Sequence, residues 1–313
     1  MSPPVIAVDL GGTNTRVALF DGEQTTPIQS KKFPTQAQDG PDAVIERILA
    51  AIEALAPEDR AGLRVGVGAP GPLDPRSGVV FEAPNLLGWI DIPLRDRLQN
   101  PLGCPVAIGN DANLAGLGEW RHGAGRGARD LVYLTISTGV GGGVICNGEL
   151  LVGTRGIAAE LGHVLVAPDG PRCGCGQRGH LEAVASGPAI ARRAQAIVDE
   201  GVETVLAQHD GQLTAGVVGR AAQAGDAVAR EVFDQAAEYL GIGLAVFAHM
   251  LNPEIFILGG GVSQVGPLLF DPARDSLERH VLSDSYLENL RIVPASLGDD
   301  AGLIGAMTLA ADL

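Results

Sequence analysis

The sequence predicts an α/β protein of two related halves with a cleft between them. Three features predict it. Residues 5–10 and 15–20 alternate in the manner of strands around the turn Gly11-Gly12-Thr13-Asn14. Residues 131–147 form a second strand–turn–strand unit around Ser137-Thr138-Gly139. Laid over the first, it places Gly148-Glu149 on Gly22-Glu23, a shift of 126 (149 minus 23). A third apolar strand, 254–258, runs into Gly259-Gly260-Gly261. Short apolar runs bounded by glycine are strand and hairpin signals.

The elements between them follow in order. Residues 41–56 carry Val44, Ile45, Ile48, Leu49 and Ile52 at helical spacing. Residues 63–68 form a short apolar strand, and a Pro/Gly-rich loop follows as far as Pro75. A long helix is expected over 226–251, closed by Asn252-Pro253. No linker or low-complexity segment interrupts the chain.

Composition narrows the function class. With 313 residues, 46% apolar and 19% charged, the chain has the make-up of a folded enzyme with a sizeable core. Only 4% of residues are aromatic while 44 are glycine, which points to small-residue packing and many tight turns. A formal net charge of −15 argues against a nucleic-acid partner, which requires a basic footprint. The segment MSPPVIAVDLGG has neither a basic region nor an apolar leader. The most apolar stretch, 241–251, is too short for a membrane span and contains His249. A soluble, cytoplasmic protein is therefore expected. Of four cysteines, Cys173 and Cys175 stand one residue apart, a spacing poor for a mutual disulfide and good for a shared metal.

Three glycine turns lie at strand ends, at 11–13, 138–143 and 259–261, and the first is led by Asp9. Such turns bring unobstructed N–H donors to anionic phosphate. A carboxylate in the place of Asp9 can hold Mg²⁺ through its water shell. Each turn could also be no more than a turn. Gly66-x-Gly68-x-x-Gly71 matches a dinucleotide pattern, but Pro70, Pro72 and Pro75 forbid the helix that pattern needs. There is no P-loop pattern either.

Together these residues resemble the ROK family (repressors, open reading frames and sugar kinases) of the actin-like ATPase superfamily. The motifs that carry the resemblance are Asp9-Leu10-Gly11-Gly12-Thr13, Gly68-Ala69-Pro70-Gly71-Pro72, Pro84-Asn85-Leu86 and Asn110-Asp111-Ala112-Asn113. They continue through 137–143, Glu160-Leu161-Gly162-His163, the cysteine segment, 258–261 and 301–306, in the family's order and over nearly the whole chain. The resemblance implies a duplicated, ribonuclease-H-like two-domain fold. The expected division is a small domain of 1–114 plus 299–313, with the last helix returning to it, and a larger one of 115–298.

It also implies an ATP- and Mg²⁺-dependent kinase that phosphorylates a hexose at its 6-hydroxyl, with glucose favoured, acting as a homodimer. N-acetylhexosamine, fructose or mannose could be the acceptor, and polyphosphate the donor. A non-catalytic sugar sensor is the alternative from another class. By resemblance, Asp9, Gly11, Gly12, Thr13, Thr138, Gly139, Gly259, Gly260 and Gly261 bind the nucleotide and Asp111 is the general base. Asn85, Asn110, Glu160, His163 and Glu182 line the sugar pocket. Read from its residues alone, Asp111 could equally be the N-cap of a helix starting at Ala112, and Glu160 and Glu182 solvated loop carboxylates. His163, Cys173, Cys175 and His180 are the expected structural Zn²⁺ ligands, in a loop that departs from the family at His180, where a third cysteine is usual. Cys₂His₂ remains chemically sound for tetrahedral Zn²⁺; the alternative is two cysteines acting as small apolar residues.

Overall fold

The computed structural model describes residues 3–22 and 24–313. Met1, Ser2 and Glu23 lie outside the described residues, and with them the start of the leader reading and the overlay of Glu23 on Glu149. In chain order the strands and helices are β1 (Pro4–Leu10), β2 (Asn14–Asp21), β3 (Gln29–Pro34), α1 (Gly40–Leu55), β4 (Arg64–Ala69), β5 (Leu73–Asp74), β6 (Val79–Glu82), β7 (Ile90–Ile92), α2 (Leu94–Leu102), β8 (Val106–Asn110) and α3 (Asp111–His122). Then come β9 (Leu131–Ile136), β10 (Val140–Cys146), β11 (Glu149–Leu150), α4 (Leu181–Ala185), α5 (Gly187–Asp199), α6 (Ala215–Gln223), α7 (Ala227–Leu251), β12 (Ile255–Gly259), α8 (Pro267–His280), β13 (Arg291–Pro294) and α9 (Ala301–Ala311).

Contacts divide the chain into two compact units. The first is Met1–Gly127 with Leu150–Ala159 and Leu297–Leu313, and the second is Ala128–Glu149 with Glu160–Ser296. The first unit holds a five-stranded sheet in the order β3-β2-β1-β4-β8, and the second a sheet in the order β11-β10-β9-β12-β13. In each, the opening strand pairs antiparallel with its hairpin partner and parallel with a later strand, which pairs parallel with the last. The two orders are the same, as a duplication requires. The turns differ by one residue: Leu10 pairs with Thr15 around Gly11–Asn14, while Ile136 pairs with Val140 around Ser137–Gly139.

In the first unit both sheet faces are covered, so β1 reads as a continuous apolar run. Ile6, Val8 and Leu10 pack with Val44, Ile45, Ile48 and Ile52 of α1 and Leu94 and Leu98 of α2. Val5 and Ala7 face Leu114 of α3 and Met307 and Ala310 of α9. The last helix thus returns to the N-terminal sheet, as expected. Its approach is backbone-close: a Cβ on Gly66 would stand 1.9 Å from the Ala306 carbonyl oxygen, and one on Gly305 only 1.7 Å from that of Leu114. After β4 the chain enters a loop and then β5, not a helix, which removes the dinucleotide pattern.

In the second unit α7 begins one residue after Asp226, whose side chain caps it by accepting from the Ala229 N–H, and ends at Asn252 in the left-handed region. Among the described residues no helix is long and apolar enough to cross a membrane.

Candidate active site

The first unit gathers its candidate residues at the carboxyl ends of β1, β4 and β8, where open α/β sheets hold ligands. Register places Asp9 beside Gly68, and Gly68 beside Gly109. Asp9 and the end of β8 are therefore two strands apart, roughly 10 Å. Gly12 touches the loop carrying Asn85, since a Cβ on it would lie 3.0 Å from the Asn85 Cβ. The first glycine turn and Asn85 are thus brought together.

Asp111 does not cap α3. The cap is Asn110, whose Oδ1 accepts from the N–H groups of Ala112 (3.0 Å) and Asn113 (3.1 Å). The physical reason is backbone conformation: Asn110 is extended, with φ −64° and ψ 137°, while Asp111 is already the first helical residue. Its Oδ1 also lies 2.8 Å from the Ala112 nitrogen. The Asn110 amide nitrogen points toward Gly71, where a Cβ would come within 3.1 Å of it. Asn110→Ala should lower unfolding free energy by about 1 kcal/mol, the usual loss for a cap; urea denaturation checks this, and Asn110→Ser should recover most of it.

Two groups not read from the sequence hold this region. Thr35, fully buried, donates to the Gly11 carbonyl (2.6 Å), shares a hydroxyl contact with Thr15 (2.9 Å), and donates its N–H to Thr13 (2.9 Å). It fixes the first glycine turn from a site with no local signal. Arg16 donates to Asp9 Oδ2 through Nε (3.2 Å) and Nη2 (3.0 Å), and to Asp300 Oδ1 (2.7 Å) and the Asp299 carbonyl. Here a signal existed, because closing the hairpin at Leu10–Thr15 sets Arg16 directly across from Asp9.

The second unit gathers the other candidates around its own hairpin turn. The third glycine turn presses on the second: Gly260 has φ +83°, and a Cβ there would lie 2.4 Å from the Ile136 carbonyl oxygen. Only glycine satisfies both conditions. Space around the Gly261 Cβ position is open within 4 Å. Glu182 reaches the turn directly, with Oε2 accepting from the Val140 N–H (3.2 Å), while Oε1 accepts from Cys173 Sγ (3.3 Å). A side chain at Gly139 would displace the carboxylate, because its Cβ would meet Glu182 Oε2 at 2.6 Å.

Glu160 opens the short 3₁₀ turn Leu161–His163 and follows Ala159, which is held at φ +68°. Although Glu160 is exposed, surrounding protein still desolvates its carboxyl and raises its pKa above the ordinary value; the His163 imidazole opposes this and the Glu182 charge adds to it.

The four expected metal ligands converge. One donor atom from each of His163, Cys173, Cys175 and His180 lies within 4.8 Å of the others. His163 Nδ1 and His180 Nδ1 are 3.3 Å apart, Cys173 Sγ is 3.6 Å from His163 Nδ1, and Cys175 Sγ is 3.3 Å from His180 Nδ1. Donors bonded tetrahedrally to Zn²⁺ stand roughly 3.3–3.8 Å from one another, so the residues fit that ion. Without metal, burial first and then the Glu182 and Cys175 contacts push the Cys173 thiol up to about 11, against a backbone hydrogen bond that lowers it. Metal binding must therefore displace a proton there. Because both histidines turn Nδ1 inward, His163 keeps Nε2 for another partner. Two other histidines make structural contacts: His122 Nε2 meets Thr308 Oγ1 (3.1 Å), and His249 accepts from the Leu282 N–H (2.9 Å).

Known proteins resemble this chain over nearly its whole length. The glucokinase of Halalkalibacterium halodurans is 40% identical over 310 residues, 96% of this chain and 92% of that protein. The glucokinase of Thermotoga maritima is 39% identical over 312 residues, 97% of this chain and 96% of its own. The crystal structure of a ROK family glucokinase from Streptomyces griseus in complex with glucose and AMPPNP superimposes with a TM-score of 0.83 at 37% identity, covering 99% of this chain and 100% of that one. The two matching sheets are those of the two-domain actin-like ATPase fold. The ROK family model matches residues 5–313, and the chain belongs to the ROK family.

Proposed function

We propose that this chain is an ATP-dependent glucokinase, transferring the γ-phosphoryl group of Mg·ATP to the 6-hydroxyl of glucose with Asp111 as general base. The observation that carries the reading is the placement of Asp111. It is the first residue of α3, directly after parallel strand β8, on a helix start pinned by a separate cap. Fixed by its backbone at the helix start, with Oδ1 accepting the Ala112 N–H (2.8 Å), this carboxylate is suited to accept a hydroxyl proton. Phosphoryl transfer needs little beyond that, alignment and charge neutralisation. The relatives' full-length similarity supports the same acceptor and donor, since the solved neighbour was obtained with glucose and AMPPNP.

The remaining roles follow from geometry and chemistry. The glycine turns at 11–13, 138–139 and 259–261 would offer N–H groups to the nucleotide. Arg16 takes Asp9 Oδ2, and Oδ1 would face the water shell of Mg²⁺. That ion would neutralise charge developing on the transferred phosphoryl group. Asn85, Asn110, Glu160, His163 Nε2 and Glu182 would orient the sugar hydroxyls. Zn²⁺ on His163, Cys173, Cys175 and His180 would be structural, because a closed set of four ligands leaves no position for water. Thr35→Val should raise the KM for ATP several-fold with a smaller change in kcat, because it loosens the first turn without touching the base; steady-state kinetics checks this.

A net charge of −15 supports a protein without a nucleic-acid partner. A cytoplasmic homodimer is the form expected from the family resemblance, and analytical ultracentrifugation tests the dimer. The activity is tested by ADP release from Mg·ATP against glucose, fructose, mannose, N-acetylglucosamine and N-acetylmannosamine. Glucose should drive turnover well above the sugar-free rate. No sugar-dependent ADP from folded, zinc-replete protein would overturn the reading.

A further inference from the structure

The second glycine turn is held by the helices that the metal loop begins. His180, one of the four converging ligands, is the N-cap residue of α4. Its backbone is fixed on both sides, by a bridge to Leu165 and by the Leu181 N–H donating to the Val164 carbonyl (3.0 Å). Two residues further, Glu182 Oε2 accepts the Val140 N–H at one end of the turn. At the junction with α5, the Gly187 N–H donates to the Ser137 carbonyl (2.8 Å) at its other end. The other Glu182 oxygen accepts from the Cys173 thiol, a bond of the metal-free site that ends when metal takes the place of that proton, so the link runs through His180 and the start of α4. Neither bond on the turn comes from a neighbouring strand. Both come from the segment whose start the metal would fix.

We infer that occupancy of the His163–Cys173–Cys175–His180 site sets the geometry of the turn Ser137–Gly139, so that metal and nucleotide bind with positive coupling, and that Glu182 is the positioning residue that transmits it. This rests on the reading of that turn as part of the nucleotide site. A ligand set that only stabilised its own loop would leave nucleotide affinity unchanged. A strut between loop and turn links the two equilibria, and linkage makes the effect reciprocal. Because the coupling runs through the turn, it is present with no sugar bound, which separates it from any contact Glu182 makes to a substrate hydroxyl.

The test is binding of Mg·AMPPNP by calorimetry in the absence of sugar, on zinc-loaded and zinc-stripped protein whose circular dichroism is unchanged. Stripping should weaken binding about 5- to 50-fold, within the usual range for coupled sites. Glu182→Ala should weaken it similarly while keeping one zinc per chain, and stripping zinc from that variant should add little. Glu182→Gln should recover most of the affinity, since its amide oxygen still accepts from Val140. Gly139→Ala, which displaces the carboxylate, should behave like Glu182→Ala. If stripped protein unfolds, the reciprocal measurement decides: AMPPNP should slow chelator-driven zinc release from the wild type and not from Glu182→Ala. Nucleotide affinity indifferent to zinc, or Glu182→Ala as zinc-sensitive as the wild type, overturns the inference alone. Absence of nucleotide binding in every state overturns it together with the nucleotide-site reading.

Discussion

Asp111→Asn should lower kcat by about 10²–10⁴-fold, the range for loss of a general base, with the KM for glucose changed only a few-fold. Asparagine is isosteric and can occupy the first helical position, and the cap on α3 belongs to Asn110, so the helix start survives. The stability change should be within about 1 kcal/mol, the scale of a carboxylate near a helix N-terminus. Single-turnover phosphoryl transfer, read beside thermal unfolding, separates the two quantities. A kcat within tenfold of wild type, in protein that still binds both substrates, would remove Asp111 from the role of base.

Gly305→Ala should be the most damaging single methyl group in the first unit. The added Cβ would lie 1.7 Å from the Leu114 carbonyl oxygen and 2.4 Å from its carbon, so α9 and α3 must separate. Overpacking of this kind costs about 1–3 kcal/mol and occasionally more, and backbone against backbone has no flexible side chain to yield. The melting temperature should fall by about 4–10 °C. Because α3 begins with Asp111, kcat should fall too. Gly216→Ala, whose Cβ would meet nothing nearer than 3.6 Å, is the control and should cost nothing. Equal stability for the two variants would mean that the helices separate freely and that their contact does not position the base.

Much of this was legible in the chain because the signals are local. The hairpin around Gly11–Asn14, its counterpart around Ser137–Gly139, and the long helix that ends at Asn252-Pro253 follow from apolar period and turn chemistry within short windows. The metal set was legible for a related reason: three ligands fall within eight residues, and His163 belonged to a motif of its own. The sequence leaves capping open as an alternative role for Asp111, and the structure gives the cap to Asn110; both residue types cap well, and only backbone dihedrals decide which one stands before the first helical residue. Arg16 was within reach, since a hairpin's closing pair fixes which residues face each other. Thr35 was not, as its partners Gly11 and Thr15 are brought to it by the pairing of β2 with β3.

The sequence by itself determined the two-hairpin plan and the glycine turns, features of residue type and spacing, and through its resemblance to the ROK family it nominated the candidate base and the four candidate metal ligands. Tertiary structure decided how those parts are held. It assigned the oxygens of Glu182 to Val140 and Cys173, Arg16 to Asp9 and Asp300, Asn110 to the start of α3, and Gly305 to the crossing of α9 on α3. The physical reason is range. Apolar period and turn propensity act between residues a few positions apart, whereas hydrogen bonds and backbone contacts join whatever the packed sheets and helices bring within a few ångströms, up to the 284 positions that separate Arg16 from Asp300.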